Sequence, residues 1–279
     1  MSWTERERQV FSDIKSWENL HFYGKGTDFS RTYQKMVNAG FQTFGSDWNR
    51  RMLKRLDDFL FHLQAIVQQG RFDKQVRDNL FSQGRIFRSD IHTIEDMKKL
   101  SIDQLRFIAK KQLARQRLVA LGQGGLTGLG GVIFTLSDLP LMLAINLRTV
   151  QLMALTYGYD LRKPYEMMYV LKVFHAISLP HPLQKDAWDQ LFDEMKETDE
   201  DWIFYEGDDD ITSQGWLQQP LNQILKLFIV MFARRKLVQG IPVFGIAAGA
   251  SFNYQFARHI TDASHAFYQK RWLIEKEMR

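Results

Sequence analysis

Glycine is concentrated where an uncharged run would otherwise make an ordinary helix. Gly122, Gly124, Gly125, Gly128, Gly130 and Gly131 fall within ten residues, inside the stretch 118–137, which carries no charge. Each glycine in a helix interior costs about 1 kcal/mol against alanine, so the cluster calls for a compensating close approach of backbones. On a helix, Gly124, Gly128 and Gly131 form one smooth stripe, since their spacings are four and three. A second stripe follows at Gly245 and Gly249, and the pattern predicts that 122–131 packs against 241–250. The alternative is that each stripe only admits bulky neighbours from the general core.

Two phosphate-binding readings of the cluster fail on the residues. A phosphate loop needs a lysine after its last glycine, and Gly122 to Thr127 offers none. A dinucleotide fingerprint starting at Gly122 and Gly124 would need its third glycine at Thr127, after a strand. Here a basic helical segment precedes it.

The 279 residues are 45% apolar and carry a net charge of +5, enough for one domain over 1–279 with a large core. Charge is unevenly spread. The segment 193–210 holds ten acidic residues and only Lys196, leaving +14 on the rest. Such asymmetry suits a basic surface that meets anionic lipid, nucleic acid or the protein's own acidic segment. With no cysteine, disulfide, thiolate and cysteine-metal chemistry are excluded. The first twenty residues are charged throughout and lack the apolar core of a secretory signal, so a cytoplasmic location is expected. The uncharged runs 118–137 and 237–257 have the length of a membrane span, but their glycines, polar residues and Pro242 argue against spanning.

The periodicity is helical throughout, and no window alternates as a strand would, so an all-α fold is expected. In outline, N-terminal helices occupy 1–100, the central glycine-rich motif 101–180, an acidic aromatic loop 197–220, and C-terminal helices 221–279. Thr4 with Glu7 and Ser101 with Gln104 are capping boxes that open helices. Another helix is expected over 47–69, capped by Gly70. Ser137-Asp138-Leu139-Pro140 reads as a turn with Asp138 as its cap and a helix beginning at Pro140. A helix over 164–179 follows, and the last runs from Pro242 to the C-terminus.

GQGGLTGLGG, then SDLP, then NLRTVQLMALTYGYD with Glu166 six residues on, resembles the central motif of the bacterial EcsC family. IPVFGIAAGASFNYQFARHITDASHAFYQKRWL is similar to that family's C-terminal motif, and SIDQLRFIAKKQLARQRLVALG matches as well. The stretch 197–220 departs from the pattern as an insertion or variable loop. The family takes its name from an operon associated with an ABC-type transporter. The resemblance therefore implies a cell-envelope context, and it brings no reaction with it.

The polar residues around the glycine stripe define two function classes. Asp138, Asp160, Glu166 and His175 would supply acid and base partners for a hydrolase if the helices gathered them, although no nucleophile motif accompanies them. Each carboxylate also suits a helix start. His259, Asp262 and His265 step by three and drift around a helix, which disfavours a metal site, and Asp208-Asp209-Asp210 lacks the glycine and glutamate of a calcium loop. No cofactor is expected. In the other class, Arg106, Lys110, Lys111, Arg115 and Arg117 lie on a basic helix leading into the uncharged run. They point to an accessory protein peripheral to anionic membrane or bound to a membrane protein such as a transporter. Nucleic acid is disfavoured because no aromatic platform is interleaved with these charges.

Overall fold

A computed structural model describes residues 3–23, 70–128, 131–179, 181–197 and 242–278. Side chains at 70–73, 119–141, 181–183, 196–197 and 242–253 fall outside the description. The described residues form seven α-helices and no strand: α1 (Glu5–Tyr23), α2 (Gly70–Arg85), α3 (Ile102–Gly128), α4 (Gly131–Thr156), α5 (Pro164–Ser178), α6 (His181–Glu197) and α7 (Pro242–Met278). A short 3₁₀ turn, Glu95–Lys99, leads into α3. The fold is therefore all-α, as the periodicity requires. The helix expected over 47–69 and the loop 197–220 lie outside the described residues, apart from Glu197 at the end of α6.

Helix α7 organises the rest. It lies along α3, and α4 packs against both, with α5 placed against α4 and α7, and α6 beyond it. The contact is apolar because the pattern along each helix repeats with the helical period. Phe256, Ile260, Phe267 and Leu273 of α7 meet a core that includes Leu105 and Ile108 of α3, Leu147 and Val150 of α4, and Phe174 of α5. Each fully buried side chain of this size stabilises by about 1.5–3 kcal/mol. The first helix closes one side. Trp17 and Phe22 of α1 join Trp188 of α6, whose ring lies 5.6 Å from Phe192 and 5.8 Å from Phe267.

Both capping boxes form. The Glu7 carboxylate accepts the Thr4 N–H at 2.9 Å while the Thr4 hydroxyl accepts that of Glu7 at 3.2 Å, and Ser101 with Gln104 repeats the exchange at 2.9 and 3.3 Å. These signals are local, so they survive any tertiary arrangement. The expected turn at 137–140 is corrected. Helix α4 runs through Ser137, Asp138, Leu139 and Pro140 without a break, so no helix begins at Pro140. Proline there forfeits one intrahelical hydrogen bond, and the long apolar run on either side sustains the helix. Gly70, expected to end a helix, is the first residue of α2. The glycine contact of 122–131 with 241–250 falls on side chains outside the description.

The C-terminus of α4 explains Tyr157-Gly158-Tyr159. Gly158 has φ +87°, its N–H donates to Leu155 O at 3.1 Å, and the Tyr159 N–H reaches back to Ala154 O at 3.0 Å. This six-to-one, five-to-two pattern closes the helix with a left-handed residue. A Cβ at Gly158 would also sit 2.5 Å from Lys98 Cγ and 3.0 Å from the Lys98 backbone nitrogen. Gly158→Ala is therefore expected to cost about 2 kcal/mol in chemical denaturation, from the left-handed backbone together with the crowding. An unchanged unfolding midpoint would show that the turn can relax without cost.

Candidate functional site

The described carboxylates flanking the glycine segment are each claimed by arginine. Asp160 is almost fully buried. It accepts 2.6 and 3.2 Å hydrogen bonds from Arg77 of α2 and is held from the other side by Arg162, whose backbone N–H also donates to it at 3.0 Å. Burial pushes this carboxyl up, but the Arg77 and Arg162 donors outweigh it and hold it well below the usual carboxylate range. Asp160 is thus not the cap of α5, whose N-cap is Lys163 with Pro164 behind it.

Glu166, in the first turn of α5, forms a two-pronged pair with Arg271 of α7 at 2.6 and 2.7 Å. Arg271 also binds Glu275 at 2.8 Å, and Glu275 takes Lys98 at 2.9 Å. The Arg271 guanidinium lies 3.9 Å from the Tyr159 ring centre and 4.8 Å from that of Tyr169, with Lys98 4.1 Å from the Tyr159 ring. Burial raises the Glu166 carboxyl, while Arg271 pulls it back. Arg271 is a permanent cation locked in a fork to its acid. It clamps, and what it clamps is the central motif to the C-terminal one, through Glu166, Tyr159 and Arg271. Sequence reasoning did not single out Arg271, because its partners lie far away in the chain.

His175 is half-buried, and burial lowers its pKa. The side chain of Asp138 lies outside the described residues. The three residues weighed as metal ligands turn to different partners. The His259 ring nitrogen Nε2 lies 3.1 Å from Ile177 O and 3.3 Å from Gln184, Asp262 pairs with Arg117, and His265 faces Tyr157. Among the described residues no three such groups converge to hold a metal ion.

The basic segment divides into two faces. Lys110, Lys111 and Arg115 are exposed, together with Ala114. Arg106 is only half-exposed, and Arg117 turns toward α7, where it donates to Thr261 at 2.9 Å and to Asp262. Of the five residues expected to make the contact, Arg106 and Arg117 are therefore only partly exposed. Helical spacing is the reason, since positions 106 and 117 lie eleven apart at the flank of the buried face formed by 105, 109 and 113.

Two large apolar side chains share the exposed face: Phe107 is 61% and Leu118 68% exposed. The turn after α2 adds Ile86, 73% exposed, and Phe87, whose ring packs edge-on 6.0 Å from that of Phe107. Arg85 and Arg88 at the same turn are exposed as well. These apolar residues escaped the sequence reading, although 107, 111, 114, 115 and 118 fall on one side of a helical wheel. Among the described residues no helix is long and apolar enough to cross a membrane.

The geometry defines an all-helical protein whose two sequence motifs meet in a buried ion-pair clamp and whose α3 carries an exposed basic and apolar face. The chain belongs to the EcsC protein family, whose model matches residues 8–273. It is 26% identical to the uncharacterized protein YdbA of Bacillus subtilis (strain 168), over 98% of this chain and 96% of that one. It is 24% identical to protein EcsC of the same organism, over 65% of this chain and 69% of that one. No solved structure matches it.

Proposed function

We propose that this protein is a non-enzymatic accessory protein that docks reversibly on anionic membrane through the exposed face of α3. The observation that carries the reading is the interleaving of Lys110, Lys111 and Arg115 with Phe107 and Leu118, extended by Ile86 and Phe87. Basic residues near an anionic surface contribute about 1 kcal/mol each, and apolar side chains beside them enter the interface. Large exposed apolar groups without that role would be a liability in water.

Co-sedimentation with vesicles tests it. Anionic vesicles should capture the protein and neutral ones should not. Changing Lys110, Lys111 and Arg115 together to glutamine should weaken capture about 100-fold, since three contacts amount to about 3 kcal/mol. Raised salt should weaken capture too, because exposed charges are screened over about 8–10 Å at physiological ionic strength. If the triple variant binds as well as wild type, the membrane reading fails and a protein partner at the cell envelope replaces it.

A further inference from the structure

Between α3, the end of α4 and α7 lies a cluster that the membrane-facing surface does not use. The Tyr157 side chain is fully buried, and its hydroxyl meets no hydrogen-bond partner among the described residues. The same holds for Nε2 of His265, whose ring centre lies 6.0 Å from that of Tyr157, and for Nη1 of Arg106. Leaving a buried polar group unpaired costs about 1–3 kcal/mol, and more for a charged one, so three at one place demand a reason.

The local charge is one-sided. Arg106, Lys110 and Arg117 all act on His265, adding to its burial in holding the imidazole down at about 3. Arg106 acts on Tyr157 as well. The carboxylates at the margin are occupied, Asp262 by Arg117 and Asp103 by a two-pronged pair with Arg6. The guanidinium N–H and the phenol O–H are donors, and Nε2 of His265 joins them in the tautomer that carries its proton there; what such a set lacks is an acceptor with negative charge.

We propose that Arg106, Tyr157 and His265 form a binding site for a phosphate group, carried either by free phosphate or by a phospholipid headgroup. The shared chemistry is a compact oxyanion with several acceptor oxygens, which can take all three donors at once. The proposal is separate from docking through Lys110, Lys111 and Arg115. Failure of vesicle capture leaves the free-phosphate arm intact.

The test measures thermal stability of the full chain with inorganic phosphate against chloride at matched ionic strength, and with phosphatidic acid vesicles against phosphatidylcholine vesicles. Tyr157→Phe removes only the unpaired hydroxyl, so the variant should fold at least as stably as wild type. It should bind phosphate about tenfold or more weakly, the loss of one hydrogen bond to a charged group. His265→Gln serves as a second variant with the same expected loss. Stabilisation of wild type by inorganic phosphate, lost in Tyr157→Phe, assigns the free anion. Stabilisation by phosphatidic acid vesicles alone, again lost in the variant, assigns the headgroup. No response to either ligand, or an undiminished response in Tyr157→Phe, overturns the site.

Discussion

Glu166→Ala is expected to lower the stability of the protein by about 3–5 kcal/mol, the range for removing one partner of a buried ion pair. Glu166 and Arg271 are 2% and 3% exposed, and their fork closes with hydrogen bonds of 2.6 and 2.7 Å. Removing the acid leaves a desolvated guanidinium whose remaining partners are Glu275 and the faces of Tyr159 and Tyr169. Most of the loss is the cost of that stranded charge and not the worth of the pair itself. The double substitution Glu166→Leu with Arg271→Met should therefore lose less than Glu166→Ala alone, because no buried charge is left over. Urea unfolding of the three chains checks it. A double variant at least as unstable as Glu166→Ala would show that the stranded charge is not the source of the loss.

Acid should act through His265 before it acts through the carboxylates. The folded protein holds this imidazole neutral down to about 3, whereas in the unfolded chain it titrates at its ordinary 6.5. Below 6.5 the unfolded state therefore binds a proton that the folded state refuses, and stability falls as the pH falls. The contribution is fully present above 6.5 and is lost progressively toward about 3. By about pH 4.5 the loss is roughly 2–3 kcal/mol, at about 1.4 kcal/mol per unit of displacement. His175, also pushed down by burial, steepens the same slope. The measurement is therefore a comparison of wild type with His265→Gln between pH 7 and about pH 4.5. The variant's stability should change distinctly less with pH. Parallel curves would mean that the ring is reached by water in the folded state.

What could be read in the sequence was local. The capping boxes at Thr4 and Ser101, the start of the last helix at Pro242 and the helical period are settled by neighbours within one or two turns. Ser137-Asp138-Leu139-Pro140 has the composition of a turn, yet a helix of 26 residues passes through it, because the apolar sequence on both sides overrides a local preference. The site residues divide the same way. Lys110, Lys111 and Arg115 could be placed on an exposed face from spacing alone. Arg106 and Arg117 could not, since they sit where exposed and buried faces meet and only α7 decides. Asp160 and Glu166 were visible as carboxylates in a motif. Their roles were not, because Arg77 and Arg271 lie 83 and 105 residues away and no periodicity carries information over that distance. His265 drew notice beside His259, whereas its neighbours Arg106 and Tyr157 belong to α3 and to the turn that closes α4.

The attachment of α1 to α7 bears on how the protein is made. Trp3 donates to Leu273 O across 270 residues, Lys276 reaches Glu7 across 269, and Lys270 reaches Glu18 across 252. At synthesis rates of about 5–20 residues per second, some 250 residues take roughly 13–50 s. During that interval Val10, Ile14 and Phe22 have emerged from the ribosome without the surface that will cover them, and Glu18 waits for both its lysine and the Trp188 indole. Helix formation itself is complete within microseconds. Between the synthesis of α1 and that of α7 the nascent chain thus carries α1 without its full cover, and the arrival of α7 is the event that lets it close.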